Sequence, residues 1–265
     1  MTYLDGPRPR LFAHRGSSGT APENTLEAFA EGVAAGADRL ELDVHATADG
    51  HIVVFHDEEL DRTTDAAGSL HSRTLAELRR VDAGFRFEGP AGDFPFRGRG
   101  VRIPTLDEVL DAFPGVPLNI EVKHDDGRTV EAFFDVLDRH GARERVLAAA
   151  FDDDIIRRVR RVAPRALTSL SAAEVAMFFG VCLSGTRDGY LVPGMALQVP
   201  PTHEDLELVC PVFLDMAHDL GMEVHVWTIN DESEMERLLD LGVDGLMTDF
   251  PARARAVFER KGLRS

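Results

Sequence analysis

The chain alternates between two kinds of segment, and that alternation limits its fold more than any other feature. Short β-rich apolar runs fall at residues 10–14, 40–44, 118–123, 146–151, 166–170, 196–199, 224–229 and 245–248. Amphipathic stretches of helical period separate most of them, as at 25–35, 129–140, 153–162, 211–220 and 232–241. Strands that alternate with helices in this way predict a parallel sheet with crossover helices. Eight such units in about 250 residues suit a (β/α)8 TIM barrel. An open doubly wound sheet is the alternative, weakened because no G-x-G-x-x-G follows the first run.

One run breaks the pattern. Residues 52–55 follow the second strand through Ala48-Asp49-Gly50, a connection too short for a parallel crossover. Asp-Gly between apolar runs signals a β-hairpin. Residues 41–57 therefore read as a barrel strand continuing into a hairpin that returns His56 over the same mouth. Residues 57–101 are rich in glycine, with Pro90 and Pro95, and read as a small insertion lobe over the mouth with one short helix at 74–81. The whole of 1–265 reads as one domain. Asn24 is expected to cap the first helix with Glu27 completing a capping box, and Gly36 to follow it. Pro211 and Gly221 should bracket a later helix.

The formal net charge is −17, from 46 acidic and 29 basic residues, which argues against nucleic-acid or anionic-membrane partners. Cys182 and Cys210 lie outside any C-x-x-C pattern and read as free thiols of a reducing compartment. No stretch has the roughly 20 apolar residues of a membrane span, and the amino terminus has no secretory pattern. The expected location is the cytoplasm.

Candidate chemistry gathers at predicted strand ends. Glu41 and Asp43 in RLELDVHA are two residues apart and so share a strand face. Paired carboxylates on an apolar strand repel one another and lose hydration, and a hard divalent cation removes both objections. The competing reading pairs each with a nearby Arg or Lys. Glu121 and Lys123 in NIEVK repeat the spacing on another strand, the first as a third metal ligand and the second as a charge for a phosphate oxygen. His14 ends the first strand beside Arg15, which can grip phosphate, and Gly16, which permits a sharp turn or a close approach. His56 precedes Asp57, a carboxylate that can orient its ring. Trp227, the only tryptophan, serves either as a wall for an aliphatic group or as core packing. Asp249 ends the last strand and receives no role. The other histidines, His45, His71, His124 and His225 among them, receive none either.

Together the segments AHRGSSGTAPENTLEAF, ELDVHATADGHIVVFHDEELDRTT, IPTLDEVL, NIEVK, VHVWTIN and GVDGLMTDFP resemble the glycerophosphodiester phosphodiesterase family. The resemblance runs from Arg10 to about Pro251 and is weaker between about Phe151 and Glu223. It implies a TIM barrel with a small insertion and one divalent cation, Mg2+ or Ca2+, on Glu41, Asp43 and Glu121. It further implies acid–base catalysis by His14 and His56, with Arg15 and Lys123 at the phosphate. The implied reaction releases glycerol 3-phosphate and an alcohol from a small glycerophosphodiester. A lysophospholipase D-like activity and a non-catalytic phosphate-binding barrel are the alternatives. Attack by water and attack by the substrate's own hydroxyl through a cyclic phosphate both remain open, as does the oligomeric state.

Overall fold

A computed structural model describes residues 2–203 and 206–264. Its strands are β1 (Arg10–His14), β2 (Arg39–Ala46), β3 (Ile52–Val54), β4 (Leu118–Val122), β5 (Val146–Ala149), β6 (Leu167–Thr168), β7 (Ala196–Val199), β8 (Thr202–His203), β9 (Leu206–Glu207), β10 (Glu223–Val226) and β11 (Gly245–Thr248). Its helices are α1 (Leu26–Ala34), α2 (Leu75–Leu78), α3 (Leu106–Ala112), α4 (Thr129–Arg139), α5 (Asp153–Val162), α6 (Ala172–Ser184), α7 (Pro211–Asp219), α8 (Glu232–Leu241) and α9 (Pro251–Arg260). Parallel strands follow the order β6-β5-β4-β2-β1-β11-β10-β7. Leu170 N donates to Ala196 O at 2.9 Å and Met195 N to Thr168 O at 2.8 Å, linking β6 to β7. The ring of eight parallel strands is thus nearly closed, and the TIM barrel expected from the alternation is borne out. β3 pairs antiparallel with β2, as the Asp-Gly turn foretold. β8 and β9 form a separate two-stranded ladder.

The two-residue period of β2 sorts its side chains. Leu40, Leu42 and Val44 join Phe29 and Phe133 in the apolar layer beneath the helices. Glu41, Asp43 and the other odd-numbered residues take the opposite face, toward the axis. A second apolar layer, with Leu197, Val224 and Phe258, serves the later half of the ring. Inside the barrel, Phe12, Leu147 and Met247 pack together with Tyr3. Deeper still, Arg10 grips Glu223 through Nε and Nη2, each at 2.8 Å. His225 Nε2 adds a 2.9 Å contact to the same carboxylate, which stays ionised despite burial because these partners outweigh the lost hydration.

Two local expectations need correction. The cap of α1 is Thr25, whose hydroxyl accepts from Ala28 N, and not Asn24. Asn24 stands at φ 59, and its side chain is drawn to Asp43 instead. The helix expected over 74–81 is a single turn, α2, closed by a Thr74–Glu77 capping box. Around it, Val53, Phe55, Leu60, Leu70 and Leu78 give the segment from β3 onward a small core of its own. No helix among the described residues is long and apolar enough to cross a membrane.

Candidate active site

Strand register assembles the acidic cluster. His14 faces Glu41 across β1 and β2. Asp43 faces Glu121 across β2 and β4. Glu41, Asp43 and Glu121 consequently offer oxygens within 4.8 Å of one another. Glu41 and Asp43 are buried, at 5% and 1% exposure. Burial, reinforced by the charge of Asp43, pushes the Glu41 carboxyl well above the usual carboxylate range. Asp43 suffers the same burial, yet Lys123 and Arg15 hold it below its ordinary value. Lys123 Nζ lies 3.2 Å from Asp43 and 2.9 Å from Glu121, and Arg15 Nε lies 3.2 Å from Asp43. Glu41 has less support, a 2.9 Å hydrogen bond from the Arg15 backbone and His14 Nε2 at 4.0 Å. A buried carboxylate short of positive charge, with two more oxygen donors turned to the same point, fits a hard divalent cation.

Both histidines are oriented by aspartates. His14 Nδ1 lies 2.7 Å from Asp249 Oδ1, so a proton there is donated to the carboxylate and Nε2 faces the cavity. Burial disfavours the imidazolium of His14, but the Asp249 hydrogen bond and the charge of Glu41 outweigh it and raise the pKa. Despite its own burial, Asp249 is held down to about 2 by hydrogen bonds from His14, Asn230 and Ser18. His56 repeats the arrangement, with Nδ1 2.6 Å from Asp57 Oδ1. Asp57 is likewise held to about 2, chiefly by Arg62, against partial burial.

The turn after β1 is tight. Arg15 has φ 53, a left-handed conformation that costs a non-glycine residue energy. Gly16 follows at φ 83, and a methyl group there would lie 2.5 Å from the Ala28 carbonyl carbon. The close approach seats α1 against the strand end and turns the Arg15 backbone N–H onto Glu41.

All eight residues singled out from sequence, His14, Arg15, Glu41, Asp43, His56, Glu121, Lys123 and Trp227, line one cavity of about 390 Å³. Others around it escaped the sequence reading. Asn24 Nδ2 donates to Asp43 at 2.9 Å. Glu23 bridges Arg15 at 3.0 Å and Arg62 at 2.7 Å, tying Arg15 to the arginine that holds Asp57. Asn119 and Gln198 form a polar floor, joined by a 2.7 Å hydrogen bond. His45, assigned no company from sequence, is fully buried and held neutral by that burial, with its pKa down to about 4. Its Nε2–H donates to the His56 carbonyl at 3.0 Å. His71 meets its ring edge-on, and His124 lies tilted against His71, with ring centroids 5.0 Å and 4.3 Å apart along the series. The local signals were a histidine on the odd-numbered face of β2 and an arginine five residues after Asp57, neither of which reveals a partner by itself.

The sequence pattern of the glycerophosphoryl diester phosphodiesterase family matches residues 14–253, a span that contains every site residue named above. The chain belongs to this family. This phosphodiesterase-family member is 30% identical over 249 residues to the glycerophosphodiester phosphodiesterase of Caldanaerobacter subterraneus subsp. tengcongensis, covering 91% of this chain and 94% of that protein. Its fold is similar to the glycerophosphoryl diester phosphodiesterase domain of a Mycobacterium tuberculosis protein, with TM-score 0.84, 27% identity and coverage of 95% and 99%. It is also similar to an Oleispira antarctica phosphodiesterase solved with its product sn-glycerol-3-phosphate, with TM-score 0.76, 30% identity and coverage of 95% and 97%. The resemblance drawn from the motifs is borne out.

Proposed function

We propose that this family member hydrolyses glycerophosphodiesters to glycerol 3-phosphate and an alcohol, with His14 and His56 moving the protons. One observation carries the reading. Two His–Asp pairs converge on a single acidic cluster in one cavity, each with Nδ1 engaged by its aspartate and Nε2 left for chemistry. In hydrolysis a water oxygen bonds to phosphorus while the bond from phosphorus to the alcohol oxygen breaks. His14 Nε2 takes the water proton, and His56 Nε2 supplies a proton to the departing alcohol. Arg15 and Lys123 exchange part of their hold on the carboxylates for the phosphate oxygens, while Trp227 walls the carbon skeleton. Glu41, Asp43 and Glu121 would hold a divalent cation, Mg2+ or Ca2+, which when bound would supply positive charge against the phosphate. The cytoplasm is the proposed location, which suits two free cysteines.

The test is release of glycerol 3-phosphate from glycerophosphocholine. Release should stop on chelation and return with Mg2+ or Ca2+. Folded, metal-loaded protein that binds this substrate and leaves it intact would make the chain a binding barrel and sink the proposal.

A further inference from the structure

The floor of the catalytic cavity carries hydrogen-bonding groups that the proton transfers leave unused. Asn119 lies on the same face of β4 as Glu121, two residues deeper, and stands in register beside Glu41 of β2. Gln198 comes from β7 and stands in register beside His225 of β10. Strands β5 and β6 lie between β4 and β7, so the 2.7 Å hydrogen bond from Gln198 Nε2 to Asn119 Oδ1 crosses the inside of the ring. The Tyr3 hydroxyl adds a longer contact to the same oxygen at 3.5 Å. Both amides line the cavity, and Asn119 is only 2% exposed.

A buried carboxylate decides which way the two amides face. Glu223 stays ionised despite its burial because Arg10 and His225 hold it, so it only accepts hydrogen bonds. His225 Nε2, at 2.9 Å, therefore carries the proton that it donates to Glu223. Burial outweighs the pull of Glu223 on this imidazole and keeps it neutral, which leaves Nδ1 a bare acceptor. Gln198 Nε2 lies 3.3 Å from Nδ1 and donates its second hydrogen there. Packing holds the ring in place. Phe12 lies against it with centroids 4.8 Å apart, and a methyl group on Gly245 would lie 3.0 Å from it. Both Nε2 hydrogens of Gln198 are then spent. Its Oε1 has no hydrogen-bond partner among the described residues, and nor has Asn119 Nδ2. A free acceptor and a free donor on linked amides are what one hydroxyl needs, since it gives one hydrogen bond and accepts others.

We propose that Asn119 and Gln198 read one hydroxyl of the substrate, the one farthest from phosphorus on the glycerol, and that His225 positions Gln198 for it. The inference rests on the phosphodiesterase reading above and narrows its substrate class. Depth selects the hydroxyl. Two residues along a strand span about 6.6 Å, so the floor lies below the carboxylate cluster by a distance that an extended three-carbon skeleton can bridge. The phosphate stays with Arg15 and Lys123 at the upper end, and the glycerol runs down the barrel axis. Beneath the floor the space is closed, since Tyr3, Phe12 and Leu147 are fully buried in one apolar cluster there. A substituent on the far oxygen would meet that cluster and would remove the hydrogen that Gln198 Oε1 accepts. The preferred substrates are thus diesters whose glycerol is unsubstituted at that end.

The test compares three diesters on the unaltered protein. They are glycerophosphocholine, 2-hydroxypropyl phosphocholine, in which hydrogen replaces the far hydroxyl, and the methyl ether of glycerophosphocholine at that oxygen. kcat/KM should fall by about 10- to 100-fold for each analogue, because its binding leaves a buried donor or acceptor unpaired. Equal values for all three overturn the proposal. Gln198→Leu should lower the ratio of kcat/KM for glycerophosphocholine over the deoxy analogue by about fivefold or more, and an unchanged ratio removes Gln198 from recognition. His225→Phe frees the Gln198 amide to turn and should lower the same ratio, whereas an equal loss for both substrates would make His225 structural only. The three-substrate comparison decides even where a variant does not fold. Trp227 is the only tryptophan and lines the cavity, so its emission follows binding without turnover. Glycerol 3-phosphate should perturb it at about tenfold lower concentration than propane-1,2-diol 1-phosphate. That preference in a protein that hydrolyses no diester sinks the hydrolytic reading and spares the floor. Hydrolysis of glycerophosphocholine with no preference in either assay does the reverse.

Discussion

The two histidines of the site look alike in their immediate contacts and differ in what stands behind them. His14 ends a barrel strand, and its aspartate comes from the end of another strand 235 residues away. That aspartate is itself held by Ser18 at 2.8 Å and Asn230 at 2.7 Å. His56 follows the hairpin, and its aspartate is the next residue, steadied by Arg62 at 2.6 Å. The His14 side chain is 15% exposed and that of His56 is 29% exposed. One pair is built from the strand ends of the nearly closed ring, the other at the end of the hairpin beside it. The difference teaches that like His–Asp contacts do not require a shared mechanical basis. It also says which pair should tolerate damage to the lobe.

Removing the rings tests both pairs at once. His14→Ala and His56→Ala should each lower kcat by about 100-fold or more, and near-normal turnover in either folded variant rejects its role. Removing the aspartates should separate them. Asp249→Asn should cost about 10- to 100-fold, and Asp57→Asn less, because the neighbouring Arg62 network remains to order the hairpin. Equal losses would erase the distinction drawn above. Asp249 raises the pKa of His14, so Asp249→Asn lowers it. A base works deprotonated, and its activity grows as pH rises through its pKa. The acid limb of the kcat/KM profile should therefore move to lower pH. Movement of the alkaline limb instead would make His14 the acid and His56 the base. His45→Leu removes the donor beneath the His56 carbonyl and should lower kcat by about fivefold to tenfold with KM little changed, an indirect effect of the size seen when supporting groups are lost. His45→Gln, which keeps a donor at similar reach, should restore part of it, and no recovery would assign the loss to packing. The smallest effects fall at the start of α1. Thr25→Ala should cost about 1 kcal/mol of stability, read by denaturant titration. Asn24→Ala should leave stability nearer to normal and weaken metal binding by about tenfold, measured by calorimetry.

Those adjacent positions mark where sequence reasoning stops. Asn24 and Thr25 are both good caps, and Glu27 three residues on favours the first, whereas Ala28 stands at that spacing from Thr25. Local rules cannot foresee that Asp43, eighteen residues after Thr25, recruits the Asn24 amide. Strands β1, β7 and β11 matched their predicted bounds because each is a short apolar run with clear ends. Strand β6 shrank to two residues, since pairing across the closure is carried by single bridges. Helix α6 was missed because a sequence apolar on nearly every side has little period to detect. The acidic cluster was legible because two-residue spacing and like charge are both local facts. Asp249 and His45 were not, since their meaning lies in a partner on a different strand or loop.

Closure of the ring sets Arg10–Ala13 beside Gly245–Thr248, so the first and last strands are neighbours. During synthesis, His14 leaves the ribosome long before its aspartate has been translated. A chain that stops before β11 lacks the residue that aims its first histidine. On the proposed mechanism, hydrolysis begins only when the final strand has docked, and a truncated translation product remains inert toward cellular diesters. Turnover then serves as a signature of a chain made through Asp249.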